Sequence, residues 1–305
     1  MIKPHPLKQK IPGPQSPVPS PRSHVPGSLI PMYLFTIVFV LGPLVYMASL
    51  SFMQKRGVWD VEAVFTLRNY RLIFEPVYLE TFKQSLKLAL VSTLAVILAG
   101  YPFGYFMARL SPRWRGRVML LLIIPFWTSA LIRLYGWIIV FRSNGVLDRL
   151  LARILMHIGL KAEPLRLLYS YPAVVMGMIY ALLPFMIYSV YASAEKIDRS
   201  MVEAARVLGA GRFRAFLTVT LPLTMPGLFS GIILTFIPSM GLYFIADILG
   251  GNKVVLVGNL IREQVMNVHD LPFAASLSVT LMALTSLLLY LYRLAARTGE
   301  IEGLI

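Results

Sequence analysis

The chain has 305 residues, 57% of them hydrophobic and 14% charged, and its mean hydropathy is +0.70. A soluble domain carries about 25% charged residues, so the composition selects a membrane protein. The absence of cysteine excludes disulfides, zinc–thiolate centres and cysteine nucleophiles. A net charge of +15 invites a nucleic-acid reading, but the hydropathy argues against it. Basic flanks of membrane spans, in contact with lipid, account for the charge more simply.

Residues 1–28 form a separate region. Nine prolines lie from Pro4 to Pro31, a composition that cannot bury a core and predicts a disordered or extended cytoplasmic tail. Its charged part and the apolar run after it are both too long for a cleavable signal peptide. A proline-rich partner-binding tail is the alternative.

Residues 29–305 read as an all-α membrane domain of six spans. The first, Leu29 to Met53, is uncharged and long enough to cross about 30 Å of hydrocarbon. The others are Leu88 to Ala108, Val118 to Phe141 (interrupted only by Arg133), a stretch within Leu167 to Ala194, Met225 to Ala246, and Leu271 to Tyr292. Pro43, Pro102, Pro125, Pro184 and Pro238 fall in or beside these spans. They can kink helices and shape a pathway, or serve packing alone.

Charge gives the orientation. Arg109, Arg113, Arg115 and Arg117 crowd the connection between spans two and three without an acid, which marks it as cytoplasmic. The cytoplasmic segments then hold 15 of the 29 lysines and arginines, barely half, so this loop carries the argument. By parity the connection between spans four and five lies on the same side, and both termini are cytoplasmic. The outer segments, about 54–87, 142–170 and 250–270, are long enough to meet an external partner.

The stretch Ser200 to Gly227 connects spans four and five. Ser200-x-x-Glu203 has the form of a capping box, and a short helix is predicted from Met201 to Leu208. Gly209 is placed to end it in the left-handed conformation. A second helix restarts near Arg212 with Phe213, Phe216, Leu217 and Thr220 on one face. Leu221-Pro222 and Pro226-Gly227 are expected to stop it. Ala204 and Ala205 leave room for another surface to approach closely.

Glu203-Ala204-Ala205, Gly209, Leu221-Pro222 and Pro226-Gly227 resemble the EAA loop of ABC-importer permeases. The resemblance implies the type I importer-permease fold, in which this loop docks a dimer of ATP-binding subunits at the cytoplasmic face of the bacterial inner membrane. The alternative is an ordinary amphipathic connector. Nearly everything after the tail is similar to the polyamine (spermidine/putrescine) type, in particular its permease B subunit. Its motifs are Ile124-Pro125-Phe126-Trp127-Thr128 with Leu131-Ile132-Arg133, Tyr180 to Pro184-Phe185, Pro222 to Gly227, and Pro238 to Gly251. That resemblance implies a second homologous permease and a soluble periplasmic substrate-binding protein as partners. ATP and Mg would be used by the partner ATPase and no cofactor bound by this chain. The long tail departs from the family's shorter start.

Candidate pathway residues are Trp127, Tyr180, Tyr243 and Asp247. Aromatic faces attract ammonium groups, and Asp247 lies one helical turn beyond Tyr243, where carboxylate and ring can receive an amine together. Interfacial aromatics equally form ordinary membrane belts, and Asp247 could instead pair with Lys253 or cap the Gly250-Gly251 turn. Arg133 carries the wrong sign for a polyamine route, and either snorkels to the outer interface or binds a carbonyl or carboxylate.

Catalytic patterns are absent. There is no G-x-x-x-x-G-K-[ST], no H-E-x-x-H and no G-x-S-x-G, and the four histidines are scattered. Neither an enzyme nor a metal site is expected, so a driving force must come from elsewhere. A permease for another solute, such as an anion, ferric iron or an amino-acid-like compound, would share the EAA loop. An ATP-independent channel or scaffold would not co-purify with an ATPase.

Overall fold

The structure is a computed structural model that describes residues 30–143, 145–157 and 167–302; the proline-rich tail lies outside the described residues. These divide into two units at Tyr46/Met47. In the first unit, helix α1 (Ile30–Phe35) passes through a π-helical stretch, Thr36–Leu41, into α2 (Gly42–Ser51).

The second unit begins within α2. After it come a two-residue antiparallel hairpin, β1 (Gln54–Lys55) with β2 (Val61–Glu62), and short α3 (Arg68–Ile73). The long helices are α4 (Pro76–Arg109), α8 (Tyr171–Ala194), α11 (Leu221–Gly241) and α14 (Leu271–Glu302). Between them lie α5 (Pro112–Ile123), α6 (Ala130–Phe141), α7 (Val146–His157), α9 (Arg199–Val207), α10 (Arg212–Ala215), α12 (Tyr243–Gly250) and α13 (Val257–Glu263). Among the described residues six helical segments are long and apolar enough to cross a membrane: Pro31–Ser51, Pro76–Arg109, Ala130–Ile154, Tyr171–Ala194, Arg212–Gly241 and Leu271–Tyr292. Apart from the hairpin, the regular structure of the described residues is helical.

α4, α8 and α11 form the centre of the second unit, with Leu88, Val96, Val174, Met186 and Val190 fully buried. Without water to drive apolar association inside a bilayer, helices adhere by close packing at small residues. Gly104 on α4 supplies such a contact: a Cβ there would lie 2.7 Å from the Ile187 carbonyl and 3.0 Å from Val190 Cβ on α8. A buried hydrogen bond of 2.7 Å between the Tyr101 and Thr224 hydroxyls ties α4 to α11. A second cluster, Ile73, Phe82, Val257, Phe273 and Leu277, joins α3, α4, α13 and α14.

Two expected spans are corrected. Val118–Phe141 is not one helix: α5 ends in a 3₁₀ turn, Ile124–Trp127, and Thr128 (ψ 151°) and Ser129 (ψ 133°) break the chain before α6. Pro125 contributes no backbone N–H there. The Arg133 guanidinium turns back to donate to the Pro125 carbonyl and lies 5.3 Å from the Phe126 ring centre. Of the two sequence readings of Arg133, the structure selects the carbonyl contact. Replacing it by methionine is expected to remove the charged one of three bonds to that carbonyl, which also accepts from the Thr128 N–H at 3.2 Å and the Thr128 hydroxyl at 2.8 Å, and to cost about 1 kcal/mol, measured as a lowered melting temperature in detergent. Lysine, a point charge without the planar fork, should not restore it.

The fifth span is shifted as well. It starts before Met225, runs unbroken through Pro222 and Pro226, and ends at Gly241; Leu242 (ψ 56°) separates it from α12. Pro222 does not stop it because a π-helical stretch, Phe216–Thr220, widens the turn just before it, and Pro226 is carried inside α11. The same device precedes Pro43, at Thr36–Leu41. A proline ring clashes with the carbonyl four residues back, and an i→i+5 turn makes room for it.

Candidate coupling elbow and solute pathway

The elbow begins at Asp198. Its Oδ1 accepts the Ser200 N–H at 2.9 Å, making Asp198 the N-cap of α9. The capping box expected at Ser200 and Glu203 is therefore corrected: Ser200 lies inside the helix, and the sequence signal for the true cap was the preceding aspartate. The Ser200 hydrogen bonds hold the Asp198 carboxyl below the usual range. A depressed folded value means that this contribution is present above the unfolded carboxylate pKa and fades as pH falls through the depressed one.

The other end of α9 closes as expected. Gly209 has φ +89°, its N–H donates to the Arg206 carbonyl, and the Ala210 N–H donates to the Ala205 carbonyl, both at 3.0 Å. This pair of bonds is a Schellman motif, which satisfies the last carbonyls of a helix through a left-handed residue. Gly211 then caps α10 in extended conformation.

The apolar face expected across Phe213, Phe216, Leu217 and Thr220 is split. Phe216 packs 6.0 Å from Tyr105 and 6.1 Å from Tyr101, and Thr220 is buried, whereas Phe213 is 75% and Leu217 44% exposed. The π-helical stretch changes the angular phase of successive residues, so the 3.6-residue spacing does not survive it. The result is a protruding apolar knuckle. Val207 is 88% and Leu208 87% exposed, five to six residues before Phe213 in the chain, with arginines 206, 212 and 214 interspersed.

Glu203 lines a cleft of about 430 Å³ together with Tyr105, Arg109, Arg115, Glu195 and Arg206. The arginine loop and the elbow thus share one border of the bundle, as parity required. Arg115 pairs with Glu195 and donates to the Ala108 carbonyl at 3.1 Å, tying α5 to the end of α8. Arg109 stacks 4.2 Å from the Tyr105 ring centre. Ala204 is exposed, Ala205 half-buried, and Leu221 and Pro222 continue the helix into α11.

The four pathway candidates occupy three places. Tyr243 and Asp247 share one face of α12, as their spacing required. Asp247 pairs with Arg262 at 3.1 Å and accepts from the Asn259 amide, and Arg262 also lies 5.9 Å from the Tyr243 ring centre. Neither sequence alternative for Asp247 describes this: Lys253 is not the partner, and the Gly251 N–H bonds the backbone carbonyl of Asp247 instead of its side chain. Arg262 and Asn259 lie on α13, a proximity with no local sequence signal. Tyr180 packs edge-on 5.4 Å from Trp137 and 5.9 Å from Arg133, beside a cavity of about 130 Å³. Trp127, at the end of the 3₁₀ turn, is 79% exposed.

Six candidate membrane spans and an exposed elbow at one border, among the described residues, make this a polytopic membrane protein. The chain belongs to the family of binding-protein-dependent transport system inner membrane components, which matches residues 100–298. It is 40% identical over 261 residues to the spermidine/putrescine transport system permease protein PotB of Escherichia coli K12, covering 86% of this chain and 94% of that one. Identity to the protein of the same name from Haemophilus influenzae is 37% over 275 residues, covering 89% and 95%. A crystal structure of a bacterial ABC transporter involved in import of the acidic polysaccharide alginate matches with a TM-score of 0.66 at 16% identity, covering 89% and 94%. The shared fold is that of type I importer permeases. The chain is accordingly a multi-pass inner-membrane protein.

Proposed function

We propose that this chain is the permease subunit of an ATP-driven importer of polyamines, spermidine and putrescine being the expected solutes. The observation that carries the substrate class is the identity of 40% to a spermidine/putrescine permease along 94% of its length. The elbow is the coupling element: Glu203, Ala204, Ala205 and Gly209 build it, and Leu221 and Pro222 connect it to α11. A dimer of ATP-binding subunits takes up the knuckle and supplies the ATP and Mg chemistry. A second homologous permease completes the pathway. A soluble periplasmic protein delivers the solute, a reading supported by the related alginate transporter solved with its periplasmic protein. Both termini and the elbow face the cytoplasm.

The test is uptake by the reconstituted complex. Spermidine and putrescine should accumulate only with ATP and the binding protein; accumulation of an unrelated solute instead would remove the substrate assignment. Orientation is read with single cysteines on this cysteine-free chain. Cysteine at Ser111 or Ser200 should resist an impermeant thiol reagent in intact cells, and cysteine at Ser143 or Asn252 should react. Labelling at Ser111 from outside would invert the topology.

On the route, Tyr180, Trp127 and Tyr243 offer rings to the cation, and Asp247 holds Tyr243 in place through Arg262. Asp247→Asn and Arg262→Gln should therefore slow spermidine and putrescine uptake by similar factors while ATP hydrolysis continues. A spermidine-selective defect confined to Asp247→Asn would instead make Asp247 a direct receptor of the amine.

A further inference from the structure

A cavity of about 510 Å³ is lined by no residue of the elbow and by none of the route candidates. Lys83 and Lys87, one turn apart on α4, line it together with Lys253 from the turn after α12. That turn is fixed by the Lys253 N–H donating to the Gly250 carbonyl at 3.1 Å. Tyr169 and Tyr171 form another wall. The one acid in the lining, Glu80, stands 3.9 Å from Lys83 with both side chains exposed, an arrangement that neutralises little. Among the described residues Lys87 and Lys253 have no ion pair, and the Tyr171 hydroxyl is buried without a hydrogen-bond partner. Three ammonium groups around one concavity repel one another, and each gains from an anion placed between them.

Depth decides which anion. Lys87 precedes Arg109, the last residue of α4, by about 33 Å of helix at 1.5 Å per residue. That is about the thickness of the hydrocarbon core. If Arg109 marks one border of the bilayer, Lys87 marks the other, and Lys83 stands one turn farther out, at the level of lipid phosphates. The two tyrosines suit the same level, since their rings favour the membrane–water interface. A concave, amine-lined cavity at phosphate depth fits a headgroup better than the flat face of a protein partner.

We infer that this cavity binds the headgroup of an anionic phospholipid, with the phosphate among Lys83, Lys87 and Lys253. None of the route candidates Trp127, Tyr180, Tyr243 and Asp247 lines this cavity, and the inference does not rest on the polyamine reading.

The test uses the full chain in mild detergent, titrated with phosphatidylglycerol, phosphatidylcholine, inorganic phosphate or the soluble solute-binding protein, with bound molecules counted by native mass spectrometry. Wild type should retain phosphatidylglycerol in preference to phosphatidylcholine. The triple variant Lys83→Gln/Lys87→Gln/Lys253→Gln should retain it at least about tenfold more weakly. Lys196→Gln, at the opposite border, should behave as wild type. All three lysines of the cavity are exposed, so the triple variant should melt at the wild-type temperature. Equal phosphatidylglycerol retention by wild type and the triple variant would overturn the inference. So would lysine-dependent binding of inorganic phosphate, or of the soluble solute-binding protein, with lipid retention unchanged.

Discussion

Leu208→Asp combined with Phe213→Asp is expected to abolish ATP-driven uptake while the chain still inserts and folds. Leu208 is 87% and Phe213 75% exposed, so the substitutions remove little packing within this chain. A large apolar side chain in that position is stabilised only when a partner covers it. Buried anchors at protein interfaces typically contribute about 2 kcal/mol or more each. A carboxylate in their place adds a desolvation cost, so each change should weaken docking of the ATP-binding subunits by about thirtyfold or more. Co-purification of those subunits, stimulated ATP hydrolysis and uptake should fall together. Gly209→Val should produce the same pattern by another route, because a β-branched residue is strained at φ +89° and the elbow would lose its turn. Retained ATPase binding in the double aspartate variant would show that the knuckle is not the coupling surface.

Gly104→Leu is expected to have the opposite signature, a failure of the bundle itself. The nearest atom to the new Cβ is a backbone oxygen, that of Ile187 at 2.7 Å, which cannot rotate aside as a flexible side chain can. α4 and α8 must separate, and overpacking of this kind costs about 1–3 kcal/mol, occasionally more. Separation would also strain the Tyr101–Thr224 hydrogen bond that ties α4 to α11. The variant should accumulate poorly in membranes and melt at a lower temperature. Gly116→Leu on α5, where a Cβ meets nothing within 4 Å, is the matched control and should behave as wild type. Equal stability of the two variants would mean that the α4–α8 contact tolerates a wider separation.

The elbow illustrates which features were legible in the chain. Gly209 announced its left-handed turn, because glycine at the end of a short amphipathic segment is a local signal and the Schellman bonds that use it are local too. The cap was misplaced by two residues, since Ser200 and Asp198 both have the chemistry to accept a backbone N–H and only the path of the chain chooses between them. The prolines misled more. A proline forbids the ordinary helical hydrogen bond wherever it stands, but whether the helix stops or widens into a π turn depends on what packs around it. At Phe216–Thr220 the helix widens, held by Phe216 against Tyr101 and Tyr105.

By itself the sequence determined the class of protein, the number of apolar crossings, the sharing of one border by the arginine loop and the elbow, and the left-handed turn at Gly209. All of these follow from hydropathy, chain parity and local backbone sterics, which need no distant neighbour. Only the tertiary structure decided that Asp247 faces Arg262 and Asn259, that Arg133 closes on Pro125 across a broken helix, and that three lysines gather around one cavity. These depend on segments far apart in the chain being packed side by side, and no local periodicity encodes which charge will find which partner.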